Sequence, residues 1–385
     1  MTYTTDYGTL AAESSVGFDE PATQAPIGLD QVHSEFNLET IDAGLHFGED
    51  HSAFTAQFIV ALATKPFVIL SGLSGSGKTL LATTFGQWLG RDQLLLQPVR
   101  PDWTSPEALL GREDRNSESY DSQYGWCVPR SLDFILRAAH DPQHPYVLVL
   151  DEMNLAHVER YFADVLSGME SGQPMVPNLQ RDPLGWRMPP REAEYIPWPK
   201  NLFTVGTINV DETTYAFSPK VLDRASVVEF RVSSDSICMD YPKQRPIRRA
   251  DSVIASAFLE RALGDEVQWP GREGIYSAMQ SVHQILFKHG AEFGHRVVRE
   301  SVRFASMMGE VGLTDMPTIL DHILVQRILP KLEIPGVMTA GLLQDLAGFA
   351  ATGSTVRSGA DALVGDAKPL LPKTMSKLRR LSAIV

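Results

Sequence analysis

One short stretch, residues 65–85, limits what this chain can fold into more than any other. An apolar run, Phe67-Val68-Ile69-Leu70, precedes Gly72, Gly77, Lys78 and Thr79 in the spacing G-x-x-x-x-G-K-[ST], and a helical pattern follows. This context is typical of a loop that wraps a polyphosphate, because glycines let several backbone N–H groups face one anion. The positive end of the following helix adds to the attraction. The predicted nucleotide-binding residues are Gly72, Ser74, Gly75, Ser76, Gly77, Lys78, Thr79 and Leu80.

Two side chains of the loop and two carboxylates further along have separate predicted roles. Lys78 would reach the β- and γ-phosphates, and the Thr79 hydroxyl would ligate Mg²⁺. The apolar strand Val147 to Leu150 ends in Asp151 and Glu152. Asp151 would hold Mg²⁺ directly or through water, and Glu152 would orient and polarise the attacking water. The alternative, a strand end with two solvated acids, is disfavoured by its position downstream of the loop.

Three more polar residues are candidate site residues because of their order in the chain. Asn209 ends a predicted strand and would sense the γ-phosphate, although Asn is also ordinary turn chemistry. Arg224 ends a helix before the last strand. It would act as an arginine finger on a neighbouring subunit's nucleotide, or equally well form a local salt bridge with Asp223 or Glu229. Arg296 opens a later helix, where it would reach the phosphates from a lid or belong to a solvated basic face.

Strands alternate with helices in the first two thirds of the chain. Five apolar strand patterns, separated by helical ones, predict a parallel, doubly wound α/β sheet. After Asp240 only helical spacing is visible. We predict an acidic, flexible arm over residues 1–45, an α/β nucleotide-binding domain over 46–240, and a helical lid with C-terminal helices over 241–385. Residues 112–128 are predicted as an inserted hairpin or loop, and residues 173–200 as a surface loop or partner contact.

The charge of −13 is unevenly distributed along the chain. Residues 1–50 contain ten acidic residues and no Lys or Arg, so the other 335 residues carry 37 acidic and 34 basic side chains. A strongly basic nucleic-acid footprint is therefore absent at the level of the whole chain. Two local basic clusters, Lys243 to Arg249 and Lys368 to Arg380, are interpreted as solvated surface in preference to phosphate contacts.

The sequence also predicts the compartment. No apolar run approaches the ~18 residues that a membrane helix needs, and no secretory signal is visible. The two cysteines, Cys127 and Cys238, lie in neither a metal-binding nor a redox spacing. We expect a cytoplasmic protein with reduced thiols and no membrane partner.

In this order, the motifs resemble those of the AAA+ ATPases. The resemblance is closer to the McrB-like branch, the motor subunits of McrBC-type restriction systems, within the dynein- and MoxR-related clade, and it covers roughly residues 46–385. Arg-Pro-Asp-Trp-Thr and Leu-Pro-Lys-Leu are the parts that narrow it to this branch. The segments that carry it are Ile69 to Thr79, Pro98-Val99-Arg100-Pro101-Asp102-Trp103-Thr104, Leu109-Leu110-Gly111, Leu150 to Ala156, Val205-Gly206-Thr207-Ile208-Asn209, Phe293-Gly294-His295-Arg296-Val297-Val298 and Gln326-Arg327-Ile328-Leu329-Pro330-Lys331-Leu332.

This resemblance implies an ATPase that uses Mg²⁺ and forms a ring, typically hexameric, with nucleotide between subunits and Arg224 acting in trans. It implies that the insert near residues 112–128 faces the pore or a partner. It further implies a separate McrC-like nuclease subunit that the ring stimulates, and a role in restriction or phage defence. Contact with DNA would be indirect, through the complex.

Two departures from the family pattern bear on these expectations. Two-component members carry a sizeable N-terminal domain that reads modified DNA, whereas only the acidic arm precedes the core here, which argues against direct recognition of methylated bases. GTP-using members carry Met-Asn-x-x-Asp near the sensor strand, but this chain has Glu212 where that Asp would fall. No Asn-Lys-x-Asp guanine reader is present either. We therefore favour ATP, with GTP as the alternative.

Two other functional classes stay open at this point. A MoxR- or dynein-like chaperone that remodels a protein complex without DNA is favoured by the near-neutral body and the acidic arm. A non-hydrolysing scaffold is disfavoured by the intact Lys78, Asp151, Glu152 and Arg224. The acids lack a matched cluster of metal-binding Lys residues, so DNA cleavage is not assigned to this chain.

Overall fold

Eleven strands are found in the part of the chain that the computed structural model describes. That part comprises residues 27–47, 50–114, 125–182, 185–187, 194–211, 215, 217–231, 245–264, 269–333, 337, 339–353 and 368–383. The strands are β1 Phe67–Gly72, β2 Leu94–Pro98, β3 Arg112–Asp114, β4 Gly125–Cys127, β5 Tyr146–Asp151, β6 Val176–Pro177, β7 Gln180–Asp182, β8 Gly185–Arg187, β9 Tyr195–Ile196, β10 Leu202–Asn209 and β11 Ser226–Phe230.

Helices surround these strands and make up the second half of the chain. In chain order they are α1 Leu29–Asp42, α2 His51–Thr64, α3 Lys78–Leu89, α4 Glu107–Leu110, α5 Arg130–His140, α6 Val158–Tyr161, α7 Ala163–Ser171, α8 Pro219–Arg224, α9 Ser252–Leu263, α10 Arg272–Lys288, α11 His295–Glu310, α12 Met316–Ile323, α13 Leu329–Leu332, α14 Ala340–Thr352 and α15 Pro372–Ser382. A π-helical turn, Leu324–Ile328, joins α12 to α13. No helix among the described residues is long and apolar enough to cross a membrane.

The central sheet has five parallel strands in the order β11-β1-β10-β5-β2. Successive side chains of a strand point to opposite faces. Val68 and Leu70 of β1 therefore enter one hydrophobic cluster, whereas Phe67 and Ile69 enter another. The first cluster contains α1 to α3 and the helical half of the chain, and the second contains α4 to α8. Helices on both faces confirm the predicted α/β sheet.

Helix α1 lies inside the range predicted as a flexible arm. Val32 and Phe36 are fully buried, and the Phe36 ring packs edge-on against Phe85 at a centroid distance of 5.2 Å. Arg245 pairs with Glu39 at 2.6 Å, which ties the chain after the sheet to the same helix. The prediction of an arm is therefore wrong for residues 29–42. Residues 1–26 lie outside the described part of the chain.

A small antiparallel sheet stands beside the central one, in the order β3-β4-β8-β7. Strands β3 and β4 pair as the predicted hairpin insert, although residues 115–124 between them are outside the described part. Strands β7 and β8 come from residues 173–200, which we predicted only as a surface loop or partner contact. Two inserts distant in sequence therefore build one sheet.

The basic C-terminal segment is folded against the α/β domain. Lys377 of α15 is 4% exposed and donates to Glu229 of β11 at 2.9 Å, and Arg380 pairs with the same carboxylate at 3.0 Å. The first residues of α15 also cap on Asp321, which accepts from the N–H groups of Lys373 and Thr374 at 2.7 Å each. The interpretation of this cluster as solvated surface is wrong for Lys377.

Buried His322 makes stability depend on pH. Burial, and secondly the Lys373 charge 3.1 Å away, lower its pKa from 6.5 to about 3. The unfolded chain therefore binds this proton first, so stability falls with pH below 6.5. We expect urea unfolding to show a loss of about 2 kcal/mol per chain between pH 6.5 and about 5. His322→Phe should reduce that slope, to which the lowered pKa values of His51 and His33 also contribute. His140→Gln on the exposed end of α5 should retain it; equal slopes in all three proteins would contradict the assignment.

Candidate nucleotide-binding and hydrolysis site

The loop between β1 and α3 has the shape of an anion cradle. A Cβ on Gly72 would lie 2.5 Å from the carbonyl oxygen of Phe230, so only glycine fits beside β11. Gly77 has φ 102°, a left-handed conformation that side chains rarely adopt, and α3 begins at the next residue. The loop backbone is therefore placed at the N-terminus of a 12-residue helix, where anions are favoured.

Lys78 folds back across this loop. Its ammonium donates to the carbonyl oxygens of Gly72 and Leu73 and to the Ser76 hydroxyl, with the first contact at 3.0 Å. The side chain is 4% exposed, so its charge is held inside the cradle. A polyphosphate entering the cradle would replace carbonyl partners with a full negative charge, which forms stronger hydrogen bonds with an ammonium.

Asp151 lies at the centre of a hydroxyl cluster. The hydroxyls of Thr79 and Thr207 both donate to its Oδ1 at 2.7 Å. The parallel pairing of β1, β10 and β5 brings these three residues to one edge of the sheet. The role of Thr207 was not predicted, because a Thr within an apolar strand pattern reads as a core residue.

Glu152 sits in a backbone conformation that fixes its direction. Its φ of 52° is the only positive value at a non-glycine position in the described part of the chain. The conformation is held by its N–H, which donates to the Thr207 hydroxyl at 2.9 Å. Its carboxylate accepts from Asn209 at 3.4 Å. Strain of this kind is often found where a side chain must be aimed at a reacting group.

These residues surround one cleft of about 270 Å³. It is lined by Ser74, Gly75, Gly77, Lys78, Thr79, Leu80, Asp151, Glu152, Thr207 and Asn209. The adjacent Thr79 hydroxyl and Asp151 carboxylate fit Mg²⁺, which is bound through few protein oxygens with substrate phosphates and water completing the shell. Bound there, Mg²⁺ would neutralise charge on the β- and γ-phosphates. The structure thus brings together all the predicted residues except Arg224 and Arg296, with Gly72 and Ser76 contacting Lys78 beside the cleft.

Asp211 adds an acidic contact to the loop that the sequence did not predict. Its carboxylate accepts from the Ser74 N–H at 3.1 and 3.2 Å. The neighbouring Val210 N–H also donates to the Gly72 carbonyl at 3.2 Å. The end of the Asn209 strand is therefore joined to the phosphate loop by two links.

Arg224 and Arg296 lie together at the opposite edge of the sheet. Arg224 pairs with Glu170, and Arg296 pairs with both Glu170 and Asp223. Strand register places Ser226 opposite Val68, so Arg224 is level with the start of β1. The phosphate loop follows the opposite end of β1. A six-residue strand is about 20 Å long, so Arg224 lies about that far from the loop.

Two predictions for these arginines need correction. Arg296 does not line the cleft, because α11 packs at the amino-terminal edge of the sheet, and we withdraw its predicted reach to the phosphates of its own subunit. For Arg224, the local salt bridge exists but joins Glu170 instead of Asp223 or Glu229. Burial raises the pKa of Glu170, but the charges and hydrogen bonds of Arg224 and Arg296 lower it by more. The pKa of Glu170 is therefore below its ordinary value.

Thr207→Val should show whether the Thr207 hydroxyl positions Asp151 and Glu152 or whether Thr207 only fills space in the core. The substitution removes the hydroxyl that holds Asp151 and leaves the Glu152 N–H without its partner. We expect hydrolysis to fall about tenfold, since a lost buried hydrogen bond is worth about 1–3 kcal/mol. The control is Thr204→Val on the same strand, whose buried hydroxyl has no partner in the described part of the chain. Equal rates for the two variants, measured as phosphate release, would contradict this role.

Comparisons with known proteins leave the family open. A protein-family model described as Domain of unknown function (DUF8727) matches residues 260–384, within the helical half of the chain. No protein with a curated description matches. A crystal structure of a candidate ATPase from Cytophaga hutchinsonii is 12% identical, covers 74% of this chain and 83% of its own, and has a TM-score of 0.46. NtrX from Brucella abortus in complex with ADP is 17% identical, covers 82% and 58% respectively, and has a TM-score of 0.29.

Proposed function

We propose that this chain is a ring-forming AAA+ ATPase that acts as the motor subunit of a McrBC-like restriction or phage-defence complex. The observation that carries the hydrolytic part is the group formed by Thr79, Asp151 and Glu152 at the phosphate loop. Thr79 and Asp151 share a hydrogen bond of 2.7 Å, as expected for two ligands of one Mg²⁺. Glu152 projects beside them from a constrained backbone and would orient the attacking water.

The location of Arg224 supports the ring. This residue lies about 20 Å from the loop of its own chain and therefore cannot contact that nucleotide. Its side chain is 26% exposed, so it is accessible to a neighbouring subunit. An arginine that acts in trans requires repeated head-to-tail contacts, and such contacts form a ring when the rotation between subunits closes, as we propose here. Arg296, beside it, would face the same neighbour.

The McrB-like assignment rests on sequence segments, one of which contributes a residue beside Arg224. Lys331 of Leu-Pro-Lys-Leu donates to Asp223 at 2.5 Å, next to Arg224. Trp103 of Arg-Pro-Asp-Trp-Thr packs against Tyr161 at 5.3 Å between centroids. A separate McrC-like nuclease subunit is part of the proposal, and so is ATP as the substrate.

A chaperone of the MoxR or dynein type is the alternative, and one observation favours it. The basic groups available for DNA contact are partly used in ion pairs within the chain, since Lys377 and Arg380 pair with Glu229, and Arg245 pairs with Glu39. These ion pairs agree with the proposed McrBC-like complex, in which this chain would contact DNA only indirectly. It also fits a machine that never contacts DNA.

The test is to measure ATP and GTP hydrolysis alone, with duplex DNA, and with the product of the neighbouring gene. A McrC-like nuclease that co-purifies, raises turnover and cleaves DNA only with hydrolysable nucleotide would support the proposal. Turnover unchanged by DNA, together with a co-purifying protein that lacks a nuclease fold, would overturn it in favour of the chaperone. Preference for GTP would overturn the nucleotide assignment alone.

A further inference from the structure

Asp211 places a carboxylate on the phosphate loop, and the proposed hydrolysis reaction gives this carboxylate no role. Both of its oxygens accept from the Ser74 N–H, at 3.1 and 3.2 Å. Ser74 lines the cleft together with Lys78 and Glu152. N–H groups of such a loop attract anions, so the Asp211 carboxylate occupies a donor that could otherwise bind a phosphate oxygen.

This carboxylate lies close to the ammonium group of the cleft. The Leu73 carbonyl and the Ser74 N–H belong to one peptide group, and Lys78 donates to that carbonyl at 2.5 Å. Asp211 and Lys78 therefore hold the two ends of a single peptide group. Bond lengths then limit the distance between the carboxylate and the ammonium to at most about 8 Å. Over such a distance the Asp211 carboxylate repels any anion that Lys78 binds.

A purely structural role explains the Asp211 contact less well. The end of β10 is already attached to the loop by the pairing of Asn209 with Gly72. The Val210 N–H also donates to the Gly72 carbonyl at 3.2 Å. Asp211 and Ser74 are both exposed, so water competes for the hydrogen bond between them. An uncharged amide would accept the same bond, and what Asp211 adds to the loop is therefore mainly negative charge.

The charge of Asp211 matters most for the terminal phosphate of a nucleotide. Asn209 and Glu152 line the cleft where the γ-phosphate is proposed to react, and Asp211 follows Asn209 by two residues. Among the described residues that line the cleft, Lys78 is the one cation, whereas Asp151 and Glu152 are both acidic. A triphosphate brings one more phosphoryl group and more negative charge to this side than a diphosphate does. Repulsion from Asp211 therefore weakens the binding of a triphosphate more than that of a diphosphate.

We propose that Asp211 sets how well this site distinguishes nucleoside triphosphate from diphosphate, because its carboxylate competes with the terminal phosphate for the Ser74 N–H. The inference rests on the proposed function, since it requires a nucleotide in the cleft. A triphosphate that takes the Ser74 N–H releases Asp211 from the loop, whereas a diphosphate leaves this contact in place. Asp211 thereby makes the end of β10, which carries Asn209, respond to the terminal phosphate.

The experiment measures equilibrium binding of a non-hydrolysable ATP analogue and of ADP, both with Mg²⁺, to the full chain and to Asp211→Asn. The amide keeps an oxygen that can accept from Ser74 and removes only the charge. We expect the analogue to bind about three- to tenfold more tightly, and the affinity for ADP to change less than about twofold. The gain should fall below about twofold in about 1 M salt, where screening is within ~3 Å. Asp164→Asn, which removes an exposed carboxylate of α7 outside the cleft, should change neither affinity.

Asp211→Ala removes the hydrogen bond as well as the charge and should show the same preferential gain for the analogue. A gain in Asp211→Ala alone, or equal changes for the analogue and ADP, would overturn the proposal in favour of a structural contact. Weaker binding of the analogue to Asp211→Asn would overturn it too, and would indicate that Asp211 helps to hold Mg²⁺.

The proposed function is tested separately by the unchanged chain and by Lys78→Ala. If the unchanged chain binds neither nucleotide, the proposed function fails and the role of Asp211 fails with it. If the unchanged chain binds both nucleotides, Lys78→Ala binds neither and Asp211→Asn binds like the unchanged chain, only the role of Asp211 is wrong.

Discussion

Glu152→Gln is expected to lower the rate of ATP hydrolysis by about 10²- to 10⁴-fold while the affinity for ATP changes less than about threefold. The amide has nearly the same shape as the carboxylate and can still accept the hydrogen bond from Asn209, which Glu152 accepts at 3.4 Å. What it loses is the negative charge that polarises water. Single-turnover hydrolysis and equilibrium binding of a fluorescent ATP analogue measure the two quantities separately.

Two matched variants make this result specific. Glu107→Gln, at an exposed position in α4, should retain full activity. Lys78→Ala should instead abolish binding, because the cradle then loses the cation that its carbonyl groups hold. If Glu152→Gln turns over ATP at the original rate, Glu152 is not the residue that acts on water, and the hydrolytic proposal loses its central residue.

The central sheet and the phosphate loop could be predicted because their signals are local. Apolar runs mark buried strands, and the glycines precede a helix that begins directly at Lys78. The meeting of Thr79, Asp151 and Asn209 then needs only one general rule. Parallel strands end at the same edge, so polar residues that follow them come close together. That rule was sufficient here because β1, β10 and β5 are neighbours.

Thr207 and Arg296 could not be assigned in this way, because their roles depend on packing between distant parts of the chain. Thr207 is 2% exposed in a buried strand that contains a second buried threonine, Thr204, so its sequence position does not single it out. Only the register of β10 with β5 brings it to Asp151. Arg296 begins a helix whose sequence says nothing about which edge of the sheet it meets. The position of Arg296 is instead fixed by its contact with Asp223, a residue 73 positions earlier in the chain.

Helix α1 was missed for a different reason. Val32 and Phe36 have the four-residue spacing of a buried helical stripe, but Leu38 and Ile41 are exposed on other sides, at 59% and 44%. The apolar pattern is therefore blurred, and the acidic composition of the segment favours a prediction of disorder. The buried face is defined by Phe85 and Trp88 of α3, which a local pattern cannot reveal.

Arg224→Ala is expected to reduce hydrolysis by about 10³-fold, and mixing with Glu152→Gln should restore it. In the proposed ring, each site combines Glu152 from one chain with Arg224 from the next. A chain that lacks Arg224 still provides an intact Glu152, and a chain with the Glu152→Gln substitution still provides an intact arginine. Random assembly of equal amounts would make about a quarter of the interfaces complete, so the mixture should recover about a quarter of the original rate.

The mixing experiment distinguishes a trans-acting arginine from one with only structural importance. If Arg224 mainly holds α7 against α8 through Glu170, each mutant chain carries its own defect and the mixture has only the mean of two low rates. Glu170→Gln helps to separate these cases, because it removes the carboxylate partner but leaves the arginine free to reach a neighbour. We expect Glu170→Gln to keep at least about half of the original turnover. Arg137→Ala, whose partner Asp133 is on the same helix, should show no effect alone or mixed.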